Sequence, residues 1–249
     1  MSKPRPFRFG VSVHGSKSRA EWIGIARQAE ALGYSTLLIP DHLGDQLSPI
    51  PALVAAADAT STLRVGSLVF DNDFRHPVML AKEAATLDVL SGGRLELGLG
   101  AGWMKPEYEQ AGIPFERASV RIGRMEEAIR IVKGLFADGP VDFAGQYYTV
   151  TGFEGFPKPV QRPHPPLHIE SRRQGGRDKL RRLLAILRGE HLGNQDAQFE
   201  ISKALPRCLT HPGNFLLKGF GSGIHQILPP AIGASFGDKP DNVSLSGCD

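Results

Sequence analysis

The sequence predicts an α/β fold of the (β/α)8 TIM-barrel type, of which the first four to five β/α units are recognisable. Strand-like apolar segments alternate with amphipathic helical segments, and each unit takes about 30 residues. This alternation requires a parallel sheet with right-handed crossovers. Polar residues directly follow three strands, at Asp41-His42, at residues 71–73 and at residues 100–103. Barrel active sites are built at these carboxyl ends, which favours a barrel over a doubly wound sheet.

The first two units show the alternation clearly. Residues 7–13 have the period-two pattern of a strand. Ser18 and Glu21 form a capping box that starts a helix. Residues 36–40 (TLLIP) are a continuous apolar run, as expected for a parallel strand that is buried on both faces. The alanine-rich residues 49–59 predict the second helix.

Two further units and a fifth strand follow. Residues 63–70 and 95–99 predict strands, and Pro77 fits the first turn of the helix between them. A long helix comes next, because apolar residues recur at helical spacing; they are Ile122, Met125, Ile129, Val132 and Leu135. A hairpin over residues 141–150 and a proline-rich connector lead to residues 166–169, the fifth strand.

Composition indicates a soluble globular protein. The chain has 249 residues, 41% hydrophobic and 22% charged, and its apolar runs are shorter than the ~18–20 residues that cross a bilayer. The start of the sequence lacks the apolar stretch of a signal peptide, so we expect a cytoplasmic protein with no membrane partner. Cys208 and Cys248 have no second ligand at metal-binding spacing, which argues against zinc. Prolines between His164 and His168 exclude a helical ligand pair.

The last third of the chain has a different character. Residues 1–170 contain 18 basic and 19 acidic residues, and residues 171–249 contain 11 and 7, so the net charges are −1 and +4. The strand–helix alternation also stops after Ile169. We therefore divide the chain into a partial barrel, residues 1–169, and a poorly ordered tail, residues 170–249. Our hypothesis for the tail is a frameshifted or mis-joined reading of the gene, which translation in the other two frames would test.

A basic cluster begins this tail; it comprises Arg172, Arg173, Arg177, Lys179, Arg181 and Arg182. Such clusters can bind nucleic acid, but neither interleaved aromatic residues nor a recognition motif accompanies this one. We interpret it as a solvated helix face and expect no nucleic-acid partner; residues 178–187 predict a helix in this part of the chain.

Asp41 and His42 directly follow the second strand, so both side chains should lie at the barrel mouth. A histidine can donate or accept a proton near pH 7, and a neighbouring carboxylate can set its charge. A structural interpretation is equally open, in which Asp41 caps a turn and His42 caps the strand.

Two other segments carry weaker signals. The glycines of residues 98–102 (GLGAG) would let the backbone approach a planar ring or a phosphate. Their spacing departs from the dinucleotide-binding fingerprint, so a simple glycine-rich bend is the alternative. Arg75 and His76 precede the start of a helix, a location that suits anions, although we favour ordinary capping of that helix.

Taken together, these motifs resemble those of the bacterial luciferase-like monooxygenase superfamily, and more narrowly its F420-dependent oxidoreductase branch. The resemblance rests on the Asp-His pair, on DNDFRHPVMLAKEAATLDVLSGGRLELGLGAGW and on the later QRPHPPL. It covers about residues 5–169, and its RHP and LSGGR elements are specific at these spacings.

The resemblance implies an isoalloxazine-type ring bound at the carboxyl ends of the barrel strands. The histidine that matches His42 is the catalytic acid or base in deazaflavin-dependent relatives, with Asp41 beside it. Relatives also have a non-proline cis peptide behind the ring, which would fall at Leu68–Val69 here. The residues expected to bind the cofactor are Leu68, Val69, Gly100, Gly102 and Trp103.

The resemblance to the F420-dependent branch makes coenzyme F420 the first choice of cofactor. FMN is the alternative, because the two rings have similar outlines. F420 implies hydride transfer to or from a small organic substrate, whereas reduced FMN implies oxygen activation and monooxygenation. A shortened barrel that binds flavin without turnover and an inactive partial barrel are further alternatives. Relatives also imply a homodimer packed through the early helices.

Overall fold

The computed structural model describes residues 8–170 and the backbone of residues 214–216. In chain order, the strands are β1 (Arg8–Ser12), β2 (Thr36–Ile39), β3 (Arg64–Ser67), β4 (Phe70–Asp71), β5 (Leu95–Gly100), β6 (Val141–Ala144), β7 (Thr149–Phe153), β8 (Leu167–Glu170) and β9 (Asn214–Leu216). The helices are α1 (Arg19–Ala31), α2 (Pro49–Asp58), α3 (Pro77–Leu90), α4 (Lys105–Ala111) and α5 (Ala118–Phe136), with a 3-10 turn at Asn72–Phe74.

The main sheet is parallel throughout. β1 pairs with β2, β2 pairs with β3, and β3 and β4 pair with successive parts of β5. The other edge of β5 pairs with β8, and β9 extends the sheet beyond β1. β6 and β7 form a separate antiparallel hairpin. The sheet curls into a half-barrel, which confirms the α/β fold and the first barrel units predicted from the sequence.

Successive helices form one layer against the sheet, since α1 contacts α2, α2 contacts α3, and α3 contacts α5. Each of these four helices places a fully buried side chain in the common core; they are Trp22, Leu53, Leu80 and Ile129. No helix within residues 8–170 is long and apolar enough to cross a membrane.

The predicted start of α1 is confirmed, with one difference in its capping. The Ser18 hydroxyl accepts the Glu21 N–H at 3.1 Å, as a capping box requires. The Glu21 carboxylate, however, accepts the N–H of Lys17 at 2.7 Å rather than that of Ser18. The reason is that the Ser16 hydroxyl already accepts the Ser18 N–H.

Two predicted elements differ from the structure. The strand predicted over residues 63–70 is divided into β3 and β4, and the two residues between them, Leu68 and Val69, are joined by a cis peptide bond. Helix α4 was missed, because its seven residues contain a single buried side chain, Tyr108, and therefore show no amphipathic stripe. The helix expected over residues 178–187 lies outside the described residues.

The LSGGR motif has a structural role. Gly92 and Gly93 turn the chain after α3 with positive φ values of 63° and 81°. The Arg94 guanidinium then donates to the carbonyls of Ala57 and Leu63, at 2.7 and 2.8 Å. Arg94 thereby ties the end of α2 and the start of β3 to the turn before β5.

A buried carboxylate organises the amino-terminal ends of the strands. Glu96, near the start of β5, forms ion pairs with Arg8 and with Arg64 at 2.7 Å, and its second carboxylate oxygen lies 3.5 Å from Nε2 of His168. Burial raises the pKa of Glu96, but the contacts with His168 and Arg8 outweigh burial and bring that pKa down to about 2. Glu96 is therefore ionised and paired at neutral pH.

β5 packs unusually closely against the strand formed by β3 and β4. A Cβ atom at Gly98 would overlap the backbone oxygen of Ser67 and lie 2.9 Å from a methyl group of Val69. Because a backbone atom cannot move aside cheaply, this position requires glycine.

Gly98→Ala should lower the free energy of unfolding by about 1–3 kcal/mol, as overpacking of a dense core does. Gly24→Ala is the matched control, because nothing lies within 4 Å of the added methyl group in helix α1. The control should raise stability by roughly 0.5–1 kcal/mol. Urea denaturation followed by circular dichroism measures the free energy of unfolding of both variants. Equal values for Gly98→Ala and Gly24→Ala would contradict the argument that position 98 is too closely packed for a side chain.

Candidate functional site

A cavity of about 490 Å³ lies at the carboxyl ends of the parallel strands. The residues that end four of these strands line it; they are Ser12, Asp71, Gly100 and Glu170. The opposite wall comes from α4 and from the first turns of α5, including Ile122 and Met125. Its volume falls within the range of small-molecule and cofactor sites.

All seven site residues predicted from the sequence line this one cavity; they are Asp41, His42, Leu68, Val69, Gly100, Gly102 and Trp103. They come from three separate segments at the carboxyl ends of β2, β3 and β5, and the strand order brings them together. Their roles in catalysis and cofactor binding stay predictions.

The expected non-proline cis peptide is present between Leu68 and Val69. The space beside the neighbouring glycines is filled by protein atoms. A Cβ at Gly100 would overlap a methyl group of Val69, and a Cβ at Gly102 would overlap the Tyr108 hydroxyl. At these positions glycine therefore permits close packing within the protein.

His42 is held by two neighbours. Its Nδ1 lies 3.1 Å from Oε2 of Glu107, and its ring meets that of Trp103 edge to face at 5.8 Å. An ionised carboxylate only accepts hydrogen bonds, so a hydrogen bond between this pair requires a ring proton on Nδ1. Proton exchange with a ligand in the cavity then falls to Nε2.

Asp41 has a different set of contacts. Its carboxylate receives both terminal nitrogens of Arg75, one of them at 3.3 Å, and the backbone N–H of Asp71 at 3.0 Å. The structure therefore places Asp41 in a buried ion pair beside the site, and the carboxylate bonded to His42 is Glu107. Sequence reasoning missed Glu107 because it lies on the unpredicted helix α4. The one feature of the sequence that pointed to Glu107 as a site residue was its position, four residues after Trp103.

The capping interpretation of residues 75–76 is confirmed. His76 is the N-cap of α3, and its Nδ1 accepts the Val78 N–H at 3.3 Å. Arg75 is occupied by Asp41 and also lies over the Phe70 ring at 5.2 Å. Both residues thus serve the fold around the site.

Asp71 is the most perturbed carboxyl group of the cavity. It accepts the Tyr108 hydroxyl with both oxygens, at 2.7 and 2.8 Å, and the Asp73 N–H at 3.0 Å. Burial is the largest influence and raises the pKa of Asp71 to about 6. Burial and the neighbouring Asp71 raise the pKa of Tyr108, so its hydroxyl stays a neutral donor.

The loop after β5 is fixed from the opposite wall. The buried Arg121 of α5 donates to the carbonyl of Ala101 at 2.9 Å and to that of Gly102 at 3.4 Å. Its guanidinium lies 3.9 Å from the centre of the Phe115 ring. Within residues 8–170, no group of three or more histidine, cysteine or acidic side chains is arranged to hold a metal ion.

Asp71→Asn should change how the free energy of unfolding depends on pH. The folded pKa of Asp71, about 6, exceeds its ordinary value of 3.8. The contribution of Asp71 to the free energy of unfolding is therefore complete below about pH 4 and is lost as pH rises through 6. Asparagine cannot ionise, and the variant should therefore gain up to about 3 kcal/mol relative to wild type between about pH 4 and pH 8.

Urea denaturation across that pH range measures the difference between variant and wild type. Asp58→Asn is the matched control, because Asp58 is exposed at the end of α2. The same pH dependence in both variants would contradict the assignment to burial.

Comparison with known proteins identifies relatives on both sequence and structure. Residues 5–199 match the family model described as luciferase-like monooxygenase. The chain is 33% identical over 206 residues to an FMNH(2)-dependent dimethylsulfone monooxygenase of Pseudomonas putida, covering 74% of this chain and 54% of that protein. It is 31% identical over 166 residues to an F420-dependent glucose-6-phosphate dehydrogenase of Microbacterium testaceum, covering 63% and 49%. The chain spans about half the length of the curated relatives it matches.

Solved structures share the fold. The coenzyme F420 dependent tetrahydromethanopterin reductase from Methanopyrus kandleri superposes with a TM-score of 0.62 at 24% identity, covering 67% of this chain and 50% of that one. A long-chain alkane monooxygenase superposes with a TM-score of 0.60 at 14% identity, covering 70% and 53%. With a family model that matches residues 5–199 and a cavity at the carboxyl ends of its barrel strands, this chain belongs to the luciferase-like monooxygenase family.

Proposed function

We propose that the chain is an oxidoreductase that binds coenzyme F420 in the cavity and transfers a hydride between the deazaflavin ring and a small organic substrate. The observation that carries the proposal is the contact of His42 with Glu107 in a cavity that is also lined by the cis-bonded Leu68 and Val69. A histidine with one nitrogen fixed is suited to move a proton at the other.

The residues of the cavity suit a flat ring. Leu68, Val69, Ile122 and Met125 supply apolar surface to the cavity, and Trp103 is half-exposed. A flat ring between such walls would bury its faces and keep its edge near polar groups. Leu68, Val69, Gly100, Gly102 and Trp103 would hold the ring, which supplies the hydride chemistry when it is bound.

His42 would act at Nε2, donating or accepting the proton that accompanies hydride transfer at the substrate. Glu107 would stabilise the positive charge that His42 carries after it accepts a proton. Asp41 would keep the His42 segment in place through its ion pair with Arg75.

FMN is the second candidate cofactor. The relatives include an FMNH(2)-dependent monooxygenase as well as F420-dependent enzymes. FMN would make the chain a monooxygenase, or a flavin-binding protein without turnover. A homodimer and a cytoplasmic location remain parts of this proposal.

Fluorescence titration of the full chain with F420 and with FMN is the first test. F420 should bind in the micromolar range, and Trp103→Ala should weaken binding roughly tenfold because the indole lines the cavity. Phe156→Ala is the matched control, because this exposed aromatic residue lies away from the cavity. Binding of FMN alone would overturn the choice of cofactor, and binding of neither would overturn the proposal.

His42→Gln should separate binding from chemistry. The variant should bind F420 as wild type does, while turnover, followed as bleaching of F420 with a panel of alcohols and sugar phosphates, should fall by about 10²–10⁴-fold. His164→Gln is the control, since His164 contacts the carbonyl of Pro165 outside the cavity. Full turnover in His42→Gln would exclude the acid–base role.

A further inference from the structure

We propose that Tyr108 and Asp71 are positioning residues of this site. Their hydrogen bond holds helix α4 so that Glu107 stays against His42 and keeps the histidine proton on Nδ1. The inference rests on the proposed function for its catalytic meaning. The part of the inference that concerns geometry, namely that the Tyr108–Asp71 hydrogen bond holds Glu107 against His42, can be tested in the protein without any ligand.

Helix α4 depends on an external anchor. It has seven residues, and its N-cap residue, Met104, makes no side-chain capping hydrogen bond. Helices this short are unstable unless tertiary contacts hold them. Tyr108 is the buried residue of α4, so Tyr108 is the contact that can fix the helix.

Glu107 and Tyr108 are consecutive, and consecutive residues on an α-helix point about 100° apart. One side chain therefore reaches His42 while the other reaches Asp71, at 3.1 Å and 2.7 Å respectively. A rotation or shift of α4 that breaks the hydrogen bond between Tyr108 and Asp71 must therefore also move Glu107 relative to His42.

The Tyr108 anchor is rigid at both ends. Its fully buried ring packs against Phe74 at 5.3 Å and against Phe115, edge to face, at 4.9 Å. Asp71 in turn accepts the Asp73 N–H and donates its own N–H to Asp41. The hydroxyl of Tyr108 thus meets a carboxylate whose position is fixed by two further bonds.

The same pair also fixes the loop that carries Trp103. A Cβ at Gly102 would overlap the Tyr108 hydroxyl and lie 2.7 Å from Oδ2 of Asp71, and its φ is +72°. The loop therefore packs directly on the Tyr108–Asp71 bond. Because Trp103 follows Gly102 and meets the His42 ring, both neighbours of His42 depend on this one hydrogen bond.

The test is ¹⁵N NMR of the histidine rings in the ligand-free full chain, with the His42 signals identified from their loss in His42→Gln. Wild type should show the proton mainly on Nδ1. Tyr108→Phe keeps the ring and removes the hydroxyl, and should shift His42 toward the Nε2–H tautomer that water favours. Glu107→Ala gives the reference for complete loss of the contact.

Two substitutions at Asp71 keep the proposal testable should Tyr108→Phe fail to fold. Asp71→Ser removes the buried charge and is too short to reach Tyr108, and should shift the tautomer as Tyr108→Phe does. Asp71→Asn retains an acceptor oxygen and should keep the wild-type tautomer. Tyr147→Phe is the matched control, because its ring stacks near Arg124 rather than on Asp71, and it should change nothing.

A wild-type tautomer in folded Tyr108→Phe or Asp71→Ser would overturn the proposal, since a purely structural pair would leave the His42 proton in place. An unchanged tautomer in Glu107→Ala would overturn it too. These results do not depend on cofactor. If neither F420 nor FMN binds while the tautomers behave as expected, the proposed function fails and the positioning role stands.

Discussion

The close packing of β5 against the cis-bonded segment between β3 and β4 is the constraint on which the rest of the site depends. Only glycine fits at position 98, where a Cβ would overlap the Ser67 carbonyl oxygen, and a Cβ at position 100 would overlap a methyl group of Val69. This packing places Leu68 and Val69 in the cavity wall and restarts the strand at Phe70. It also brings Asp71 to the end of the strand, where its backbone and side chain bind different neighbours.

The site consequently has two layers. His42 faces the cavity with Glu107 and Trp103 against it. Behind them, the bond between Asp71 and Tyr108 holds the helix and the loop that carry these two residues. Groups that must keep a productive geometry need such support, because small displacements of a catalytic group reduce its efficiency strongly.

Two buried carboxyl groups show how the ends of the half-barrel differ. Glu96 lies at the amino ends of the strands, where the contacts with His168 and Arg8 outweigh burial and bring its pKa to about 2. Asp71 lies at the carboxyl ends, where burial, with Asp73 and Asp41 nearby, raises its pKa to about 6 despite the Tyr108 hydroxyl. Ion pairs of Glu96 stabilise the amino ends of the strands. The carboxyl ends instead retain Asp71, a buried carboxyl group with a raised pKa, beside a cavity, and such groups are common at functional sites.

The sequence by itself determined most of the alternation of strands and helices, and its motifs indicated the family, the Asp41-His42 segment and, through the family resemblance, the Leu68–Val69 bond. These features are local, because hydrophobic periodicity and motif spacing record them directly. Only the tertiary structure decided that Glu107, 65 residues from His42, is its carboxylate partner, and that Asp41 pairs with Arg75 instead. The physical reason is that α4 is positioned by one buried tyrosine, and a single buried residue leaves no periodic pattern in the chain.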